Sequence, residues 1–130
     1  MKMKIFCFIL LSVFTNVAFS DNVIIEFAKL HKQVGGWNIS VTLKHKDSGW
    51  NHYANAWQVV DEKNQLLGKR VLLHPHVNEQ PFTRSLYSVK IPADVKVIFI
   101  EATDLVHGLS SDRLRIDLSK PTSKRYKIDS

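Results

Sequence analysis

Between Trp37 and Lys44 apolar and polar residues alternate without interruption, and no other feature constrains the fold of this chain as strongly. The apolar residues of this stretch are Trp37, Ile39, Val41 and Leu43. A period of two residues is typical of a β-strand that buries one face. The preceding segment 23–30 is rich in β-branched residues, and a Val-Gly-Gly turn signal at 34–36 separates the two. We therefore predict that these two strands form a β-hairpin.

The rest of the chain also has the pattern of short strands separated by turns, without a convincing helical period. Further strands are predicted at 56–60, 66–73, 82–91, 95–103 and 113–118. About seven short strands of this kind predict a single β-sandwich of immunoglobulin or fibronectin type, with a small β-barrel as the alternative. The polar and basic residues from Lys120 onward predict a frayed tail.

The first 20 residues have the pattern of a cleavable secretory signal. Lys2 and Lys4 precede an apolar run of about ten residues, and the small residues Ala18 and Ser20 stand at the −3 and −1 places of a signal-peptidase site. The apolar run is too short to span a bilayer, which takes about 20 residues. Cys7 lies inside this run, too early for the lipid-modified cysteine of a lipoprotein. We therefore predict cleavage after Ser20 and a periplasmic or secreted location.

Cleavage would leave 110 residues beginning at Asp21, which is a common size for one domain. We predict a β-sandwich domain over residues 21–119 and a basic tail over 120–130, with no transmembrane segment after the signal. Loss of two lysines lowers the formal net charge from +6 to +4, and the charges are scattered along the chain. Nothing in this distribution resembles a nucleic-acid module, so no nucleic-acid partner is expected.

No cysteine or methionine follows the predicted cleavage site. The core must therefore be stable without disulfides. Thiolate sites for zinc or blue copper and thioether sites for Cu(I) are excluded as well. Any metal site in this domain must use imidazole, carboxylate or backbone oxygen.

All six histidines follow the predicted signal, and most of them lie at strand ends or in loops. They are His31, His45, His52, His74, His76 and His107. In a β-sandwich the loops that leave alternate strands meet at one end. Several of these imidazoles are therefore expected to converge.

The segment His74-Pro75-His76 is the most specific histidine motif. Residues i and i+2 of an extended segment point the same way, and Pro75 stiffens the backbone between them. Two neighbouring imidazoles are half of a zinc or copper site. The residues that could complete it are His45, His52, His107 and Glu79. Such a sulfur-free site outside the cytoplasm would take Cu(II) or Zn(II). The alternative is that these histidines bond backbone groups in ordered loops or face water.

An aromatic group is concentrated between positions 49 and 57, where Trp50, Tyr53 and Trp57 occur. Trp57 lies on a predicted strand, so we expect it to pack between the two sheets. Trp50 and Tyr53 would either cap the end of the sandwich or line a ligand surface, and packing is favoured for Trp50.

Glu79 and Arg84 flank a proline turn and form a third group of candidate residues. The two side chains could form a structural ion pair, which is the favoured interpretation. Alternatively, Arg84 could hold the carboxylate of another loop in a bidentate contact or bind an anion.

Patterns typical of enzymes fit the chain poorly. No serine stands in a nucleophile elbow, and no cysteine is available for a thiol mechanism. Glu79 could form a carboxylate pair with Glu101 or Asp104 for glycoside chemistry, yet nothing in the spacing selects these residues. We therefore predict no catalytic residue and a protein that is not an enzyme.

Two segments of the chain carry a resemblance. The first is Gly-Trp-Asn-His-Tyr-Ala-Asn-Ala-Trp at 49–57, and the second is His-Pro-His-Val-Asn-Glu-Gln-Pro-Phe-Thr-Arg at 74–84. In these segments, and in Asp-Leu-Val-His-Gly at 104–108, the chain resembles a group of exported bacterial proteins with no established activity. The resemblance extends from about Ser40 to Leu118. It implies a self-contained exported domain and a site shared among the three segments.

Two functions remain as main hypotheses, with an enzyme a distant third. The first is an exported domain that binds a divalent transition metal through a histidine cluster. The second is a non-catalytic interaction or accessory domain that meets another envelope protein through the end bearing Trp50 and Tyr53, or through a strand edge. The fold class is compatible with both functions and does not distinguish them.

Overall fold

The computed structural model describes residues 22–129, and the predicted signal segment 1–20 lies outside them. The described residues form nine strands. These are β1 (Ile24–Gln33), β2 (Gly36–Lys44), β3 (Ala54–Asp61), β4 (Leu66–Val71), β5 (Phe82–Val89), β6 (Val97–Asp104), β7 (Gly108–Asp117), β8 (Thr122–Ser123) and β9 (Tyr126–Asp129). Within this part of the chain there is no helix of the length and apolarity that a membrane span requires.

The strands form two sheets that pack face to face, which confirms the predicted all-β sandwich, with nine strands in place of the expected seven or so. One sheet has the order β5-β2-β1-β9-β8 and the other has the order β4-β3-β6-β7. All neighbouring strands are antiparallel except β1 and β9, which are parallel. Because most connections join antiparallel neighbours, the loops collect at the two ends of the sandwich.

The alternating pattern of β2 produces the predicted buried face. Ile39, Val41 and Leu43 are fully buried, and β2 pairs with β1 as the predicted hairpin. At the turn Gly36 has a φ of +135°, and a Cβ atom there would lie 2.8 Å from the backbone oxygen of Val89. The hairpin therefore requires glycine at this position.

Strand β6 is an inner strand of its sheet, as its apolar sequence predicts, and it pairs with β3 and β7. Trp57 of β3 is fully buried among residues from both sheets, which confirms the packing predicted for it. Burial of so large a side chain between two sheets makes it a main contributor to the core.

The C-terminal tail differs from the prediction of a frayed segment. Strand β9 pairs in parallel with β1, and Tyr126 is buried. Arg125 donates to the Asp112 carboxylate at 2.8 Å and to the backbone oxygen of Ile25 at 3.1 Å. The alternation of β9 spans only four residues among many charged ones, so the local pattern is too short to predict a strand. Pairing with β1 supplies the backbone partners that the isolated segment lacks.

Candidate metal centre

Four side chains from two loops and two strand ends meet at one end of the sandwich. The β3–β6 register places the start of β3 beside the end of β6, with Ala54 opposite Asp104, and the approach of His45 to Asp104 brings the end of β2 to the same place. His45 follows β2, His52 lies in the β2–β3 loop, and His107 lies in the turn between β6 and β7. Asp104 is the last residue of β6, and the three histidines approach it. We refer to these four residues as the histidine–aspartate cluster.

Asp104 is almost fully buried at the centre of this cluster. Its Oδ1 atom accepts the backbone N–H groups of Val106 at 2.8 Å and His107 at 2.6 Å. Burial opposes ionisation, but these N–H groups and the His107 ring outweigh it and hold the pKa of Asp104 below its ordinary value of 3.8. The carboxylate is therefore ionised at neutral pH. Its Oδ2 atom lies 3.1 Å from Nδ1 of His107.

His45 is completely buried, and Asp47 determines its orientation. The Nδ1 atom of His45 lies 2.6 Å from Oδ1 of Asp47. Because a carboxylate accepts, the ring proton sits on Nδ1 and leaves a lone pair on Nε2. That Nε2 atom is buried without a hydrogen-bond partner, and it lies 3.9 Å from Oδ2 of Asp104.

His52 supplies a second unpartnered nitrogen. Its Nε2 atom is buried without a hydrogen-bond partner and lies 3.6 Å from Oδ1 of Asp104. The ring packs edge-on against His45, with centroids 5.0 Å apart, and against His107, with centroids 5.2 Å apart. One ligand atom each from His45, His52 and Asp104 lies within 4.8 Å of the other two. Bonds of about 2.0–2.1 Å to a tetrahedral ion would place these atoms about 3.4 Å apart, so binding would draw them together by up to about 1.4 Å.

His74 and His76 form a separate pair, and neither belongs to the group of three candidate ligands found among residues 22–129. The two rings are neighbours, as the motif predicts, with centroids 4.5 Å apart. His76 is buried and stacks on Phe82 at 3.9 Å, and its Nε2 atom lies 2.7 Å from a guanidinium nitrogen of Arg84. Because a guanidinium only donates, Nε2 accepts and the proton of the neutral ring sits on Nδ1. Neither nitrogen of His76 then has a free lone pair for a metal ion.

The environment of His76 predicts a pH dependence of stability. Burial, followed by the charges of Arg84 and His74, holds the pKa of His76 below its ordinary value of 6.5. Between the lowered pKa and 6.5 the unfolded chain binds more protons at this residue than the folded chain does. The stability contribution is therefore complete above pH 6.5 and is lost as the pH falls below it. The measurement is the free energy of unfolding, obtained from urea titrations between pH 8 and pH 5. We expect this free energy to fall less steeply with pH in His76→Gln than in the wild type, and to fall as in the wild type in the exposed-site variant His31→Gln.

The other predicted site residues lie in several environments. Trp50 differs from the favoured prediction of packing, since 66% of its surface is exposed. Its ring contacts Tyr53 edge-on at 5.8 Å, and the backbone oxygen of Tyr53 accepts the N–H of Leu105 beside the cluster. About two thirds of the Trp50 surface faces solvent because the residue lies in the β2–β3 loop, outside the strands of the two sheets. Within residues 22–129 no ion pair joins Glu79 to Arg84, and Glu79 is exposed.

Two aspartates of this region carry roles that the sequence does not predict. Asp104 is the acidic member of the cluster, and Asp47 orients His45. The sequence offers only two local signals for these roles: an aspartate stands three residues before His107, and another stands two residues after His45. Such spacings are common in turns that have no ligand, because aspartate often accepts nearby backbone N–H groups.

Comparison with known proteins yields one relative that bears on this chain. A putative lipoprotein of Halomicrobium mukohataei is 37% identical over 78 residues, which is 60% of this chain. The match covers 38% of that relative, so the chain spans about two fifths of its length. No family model matches the chain. No solved structure matches it either.

Proposed function

We propose that this protein is an exported domain that binds one divalent transition-metal ion in the histidine–aspartate cluster. The observation that carries the proposal is a pair of buried imidazole nitrogens, Nε2 of His45 and Nε2 of His52, that face an ionised carboxylate without hydrogen-bond partners. An unsatisfied buried polar group costs about 1–3 kcal/mol. A bound cation would satisfy both nitrogens and the charge of Asp104 together.

The surroundings of His45 support the same proposal. Metal-ligating histidines commonly donate their other ring N–H to a carboxylate, which fixes the tautomer and raises the basicity of the ligand. Asp47 stands in that position at 2.6 Å from Nδ1. A hydrogen bond from His45 to Asp104 is a poor alternative, because the 3.9 Å separation is too long.

The ligand types indicate the class of metal. His45 and His52 with Asp104 offer two nitrogens and one oxygen, whereas Nδ1 of His107 donates to Asp104 and is therefore not counted as a ligand atom. No thiolate or thioether is present in residues 22–129. Imidazole with carboxylate suits Zn(II) and Cu(II), which we propose as the physiological class. His74 and His76 are assigned to the surrounding structure.

Export is part of the proposal. It is supported by the signal pattern of residues 1–20 and by the relative described as a putative lipoprotein. A periplasmic or secreted location would expose the cluster to a compartment where a metal-binding protein can act without competing thiols. No catalytic role is assigned to the cluster.

The test is isothermal titration of the metal-stripped protein with Zn(II) and Cu(II). We expect one ion per chain with a Kd of about 1 μM or lower. The most informative variant is His52→Ala, because the Nε2 atom of this ring makes no hydrogen bond that holds the fold together. We expect the variant to retain its circular dichroism and to lose affinity by about 100-fold, equivalent to about 2.7 kcal/mol.

Two matched variants separate the cluster from other histidines. His31→Ala removes an exposed imidazole from β1, and His74→Ala removes the exposed member of the His-Pro-His pair. Both are expected to bind the ion as the wild type does. Absence of stoichiometric binding, or equal losses in all three variants, would contradict the proposal.

A protein-interaction role is the second candidate, and exposed apolar side chains beside the cluster favour it. Trp50, Leu105 and Val106 are each about half exposed or more, at 66%, 49% and 59%. Such residues are enriched where proteins meet partners. If the protein binds no metal, this end of the sandwich becomes the main candidate surface for another envelope protein.

A further inference from the structure

The side chain of Asp47 bonds both to the ring of a cluster histidine and to the β4–β5 loop, residues 72–81. Its Oδ1 atom accepts from Nδ1 of His45 at 2.6 Å and from the backbone N–H of Ala54 at 3.0 Å. Its Oδ2 atom accepts from the backbone N–H of His76 at 2.7 Å. All of these contacts are buried, so water does not compete with them.

Gln80 forms a second connection between the same two places. Its Oε1 atom accepts the backbone N–H of His45 at 3.0 Å, and its Nε2 atom donates to the backbone oxygen of His76 at 2.8 Å. The backbone N–H and C=O groups of His76 are therefore both held by side chains that also bond to His45. A movement of His45 would therefore shift the backbone of His76 through two hydrogen-bonded paths, one through Asp47 and the other through Gln80.

We propose that Asp47 is the positioning residue of the metal centre and that it transmits metal loading from His45 to the β4–β5 loop. This inference rests on the proposed metal-binding function. A cation at Nε2 of His45 withdraws electron density from the ring and makes the Nδ1–H a stronger donor. The stronger bond holds the Asp47 carboxylate more tightly, and the carboxylate holds the N–H of His76.

The loop that receives this effect presents side chains to the surface. Leu73 is 75% exposed and Val77 is 52% exposed, with His74 exposed between them. The order of this exposed face would then depend on whether the cluster holds a metal ion. A partner that contacts the face could distinguish the loaded protein from the empty one.

The experiment is amide hydrogen exchange by NMR on the purified protein, without metal and with one equivalent of Zn(II). We expect the amide of His76 to exchange about tenfold more slowly in the Zn(II) form, since an Asp47 carboxylate held more tightly by His45 reduces the local openings that expose this amide. Ring nitrogen shifts should show the proton of His45 on Nδ1 in both forms. A structural role alone would leave the exchange of His76 independent of metal.

The variant Asp47→Asn isolates the transmission. The amide oxygen can still accept from His45 and Ala54 in the place of Oδ1, but the amide nitrogen in the place of Oδ2 cannot accept from His76. We expect Zn(II) to bind with about 10-fold lower affinity and the exchange of His76 to become the same with and without metal. The matched control is Asp61→Asn. Asp61 is a buried aspartate whose Oδ1 accepts two backbone N–H groups at the opposite end of β3, and this control should retain the Zn(II) effect.

The outcomes separate the two proposals. If neither Zn(II) nor Cu(II) binds the wild type, the metal function and the transmission are both overturned. If Cu(II) binds and Zn(II) does not, the transmission of Zn(II) loading is overturned while the metal function stands. If Zn(II) binds but the exchange of His76 does not change, or changes equally in Asp47→Asn, the transmission is overturned while the metal site stands. The wild-type comparison needs no variant, so it remains decisive if Asp47→Asn does not fold.

Discussion

Replacement of Asp47 by alanine is expected to lower the free energy of unfolding of the metal-free protein by about 3–5 kcal/mol, because it breaks a buried charged network. The carboxylate accepts three hydrogen bonds, from the His45 ring and from the backbone N–H groups of Ala54 and His76. Alanine leaves all three donors buried and unsatisfied, at about 1–3 kcal/mol each before relaxation. Urea denaturation at neutral pH with metal chelated would measure the loss.

The exposed-site variant Asp94→Ala is the control for removal of an aspartate from this chain. Surface substitutions of that kind usually change stability by no more than about 0.5 kcal/mol. A loss below about 1 kcal/mol in Asp47→Ala would contradict the network, because even one orphaned buried donor costs that much. Such a result would also weaken the role of Asp47 in orienting His45.

Replacement of Trp57 by alanine is expected to destabilise the protein by about 3–5 kcal/mol, in the range measured for large-to-small changes in tightly packed cores. Trp57 is fully buried between the sheets, so the neighbouring strands cannot close the cavity without breaking their pairing. Trp57→Phe should cost much less. The indole N–H is buried without a hydrogen-bond partner, and its removal offsets part of the lost packing.

Thermal and urea denaturation of Trp57→Ala and Trp57→Phe would test whether the alanine variant loses more stability than the phenylalanine variant. Trp50→Ala is the matched control, because it removes the same side chain from an exposed position. We expect that variant to stay within about 0.5 kcal/mol of the wild type. Equal losses for Trp50→Ala and Trp57→Ala would mean that Trp57 is not the centre of the core.

The fold was largely predictable because its main strands carry their own signals. The alternation of β2 and the apolar run in β6 reflect burial on one or both faces, and the sheets place these strands accordingly. The sequence predicts a frayed C-terminal tail, whereas in the structure residues 126–129 pair with β1. That pairing is between segments about a hundred residues apart, and no local pattern in a four-residue strand encodes it.

The site was predictable only in part. The expectation that histidines converge at one end of the sandwich agrees with the meeting of His45, His52 and His107 around Asp104. The motif of His74 and His76 suggested the centre of a metal site, and the rings are neighbours as expected. The sequence could not show that the Arg84 guanidinium donates a hydrogen bond to Nε2 of His76, because the two residues meet across the turn before β5.

Period-two patterning and turn residues, read along the chain, determined that this protein is a β-sandwich with histidine-bearing loops at strand ends. Burial of one face of each strand is a local requirement, so the local sequence records it. The tertiary structure alone decided which nitrogens are left without partners and which carboxylates stand beside them. Those relations depend on strand registers and on side-chain hydrogen bonds between distant segments. Register is set by the packing of whole sheets, so spacing along the chain does not reveal it.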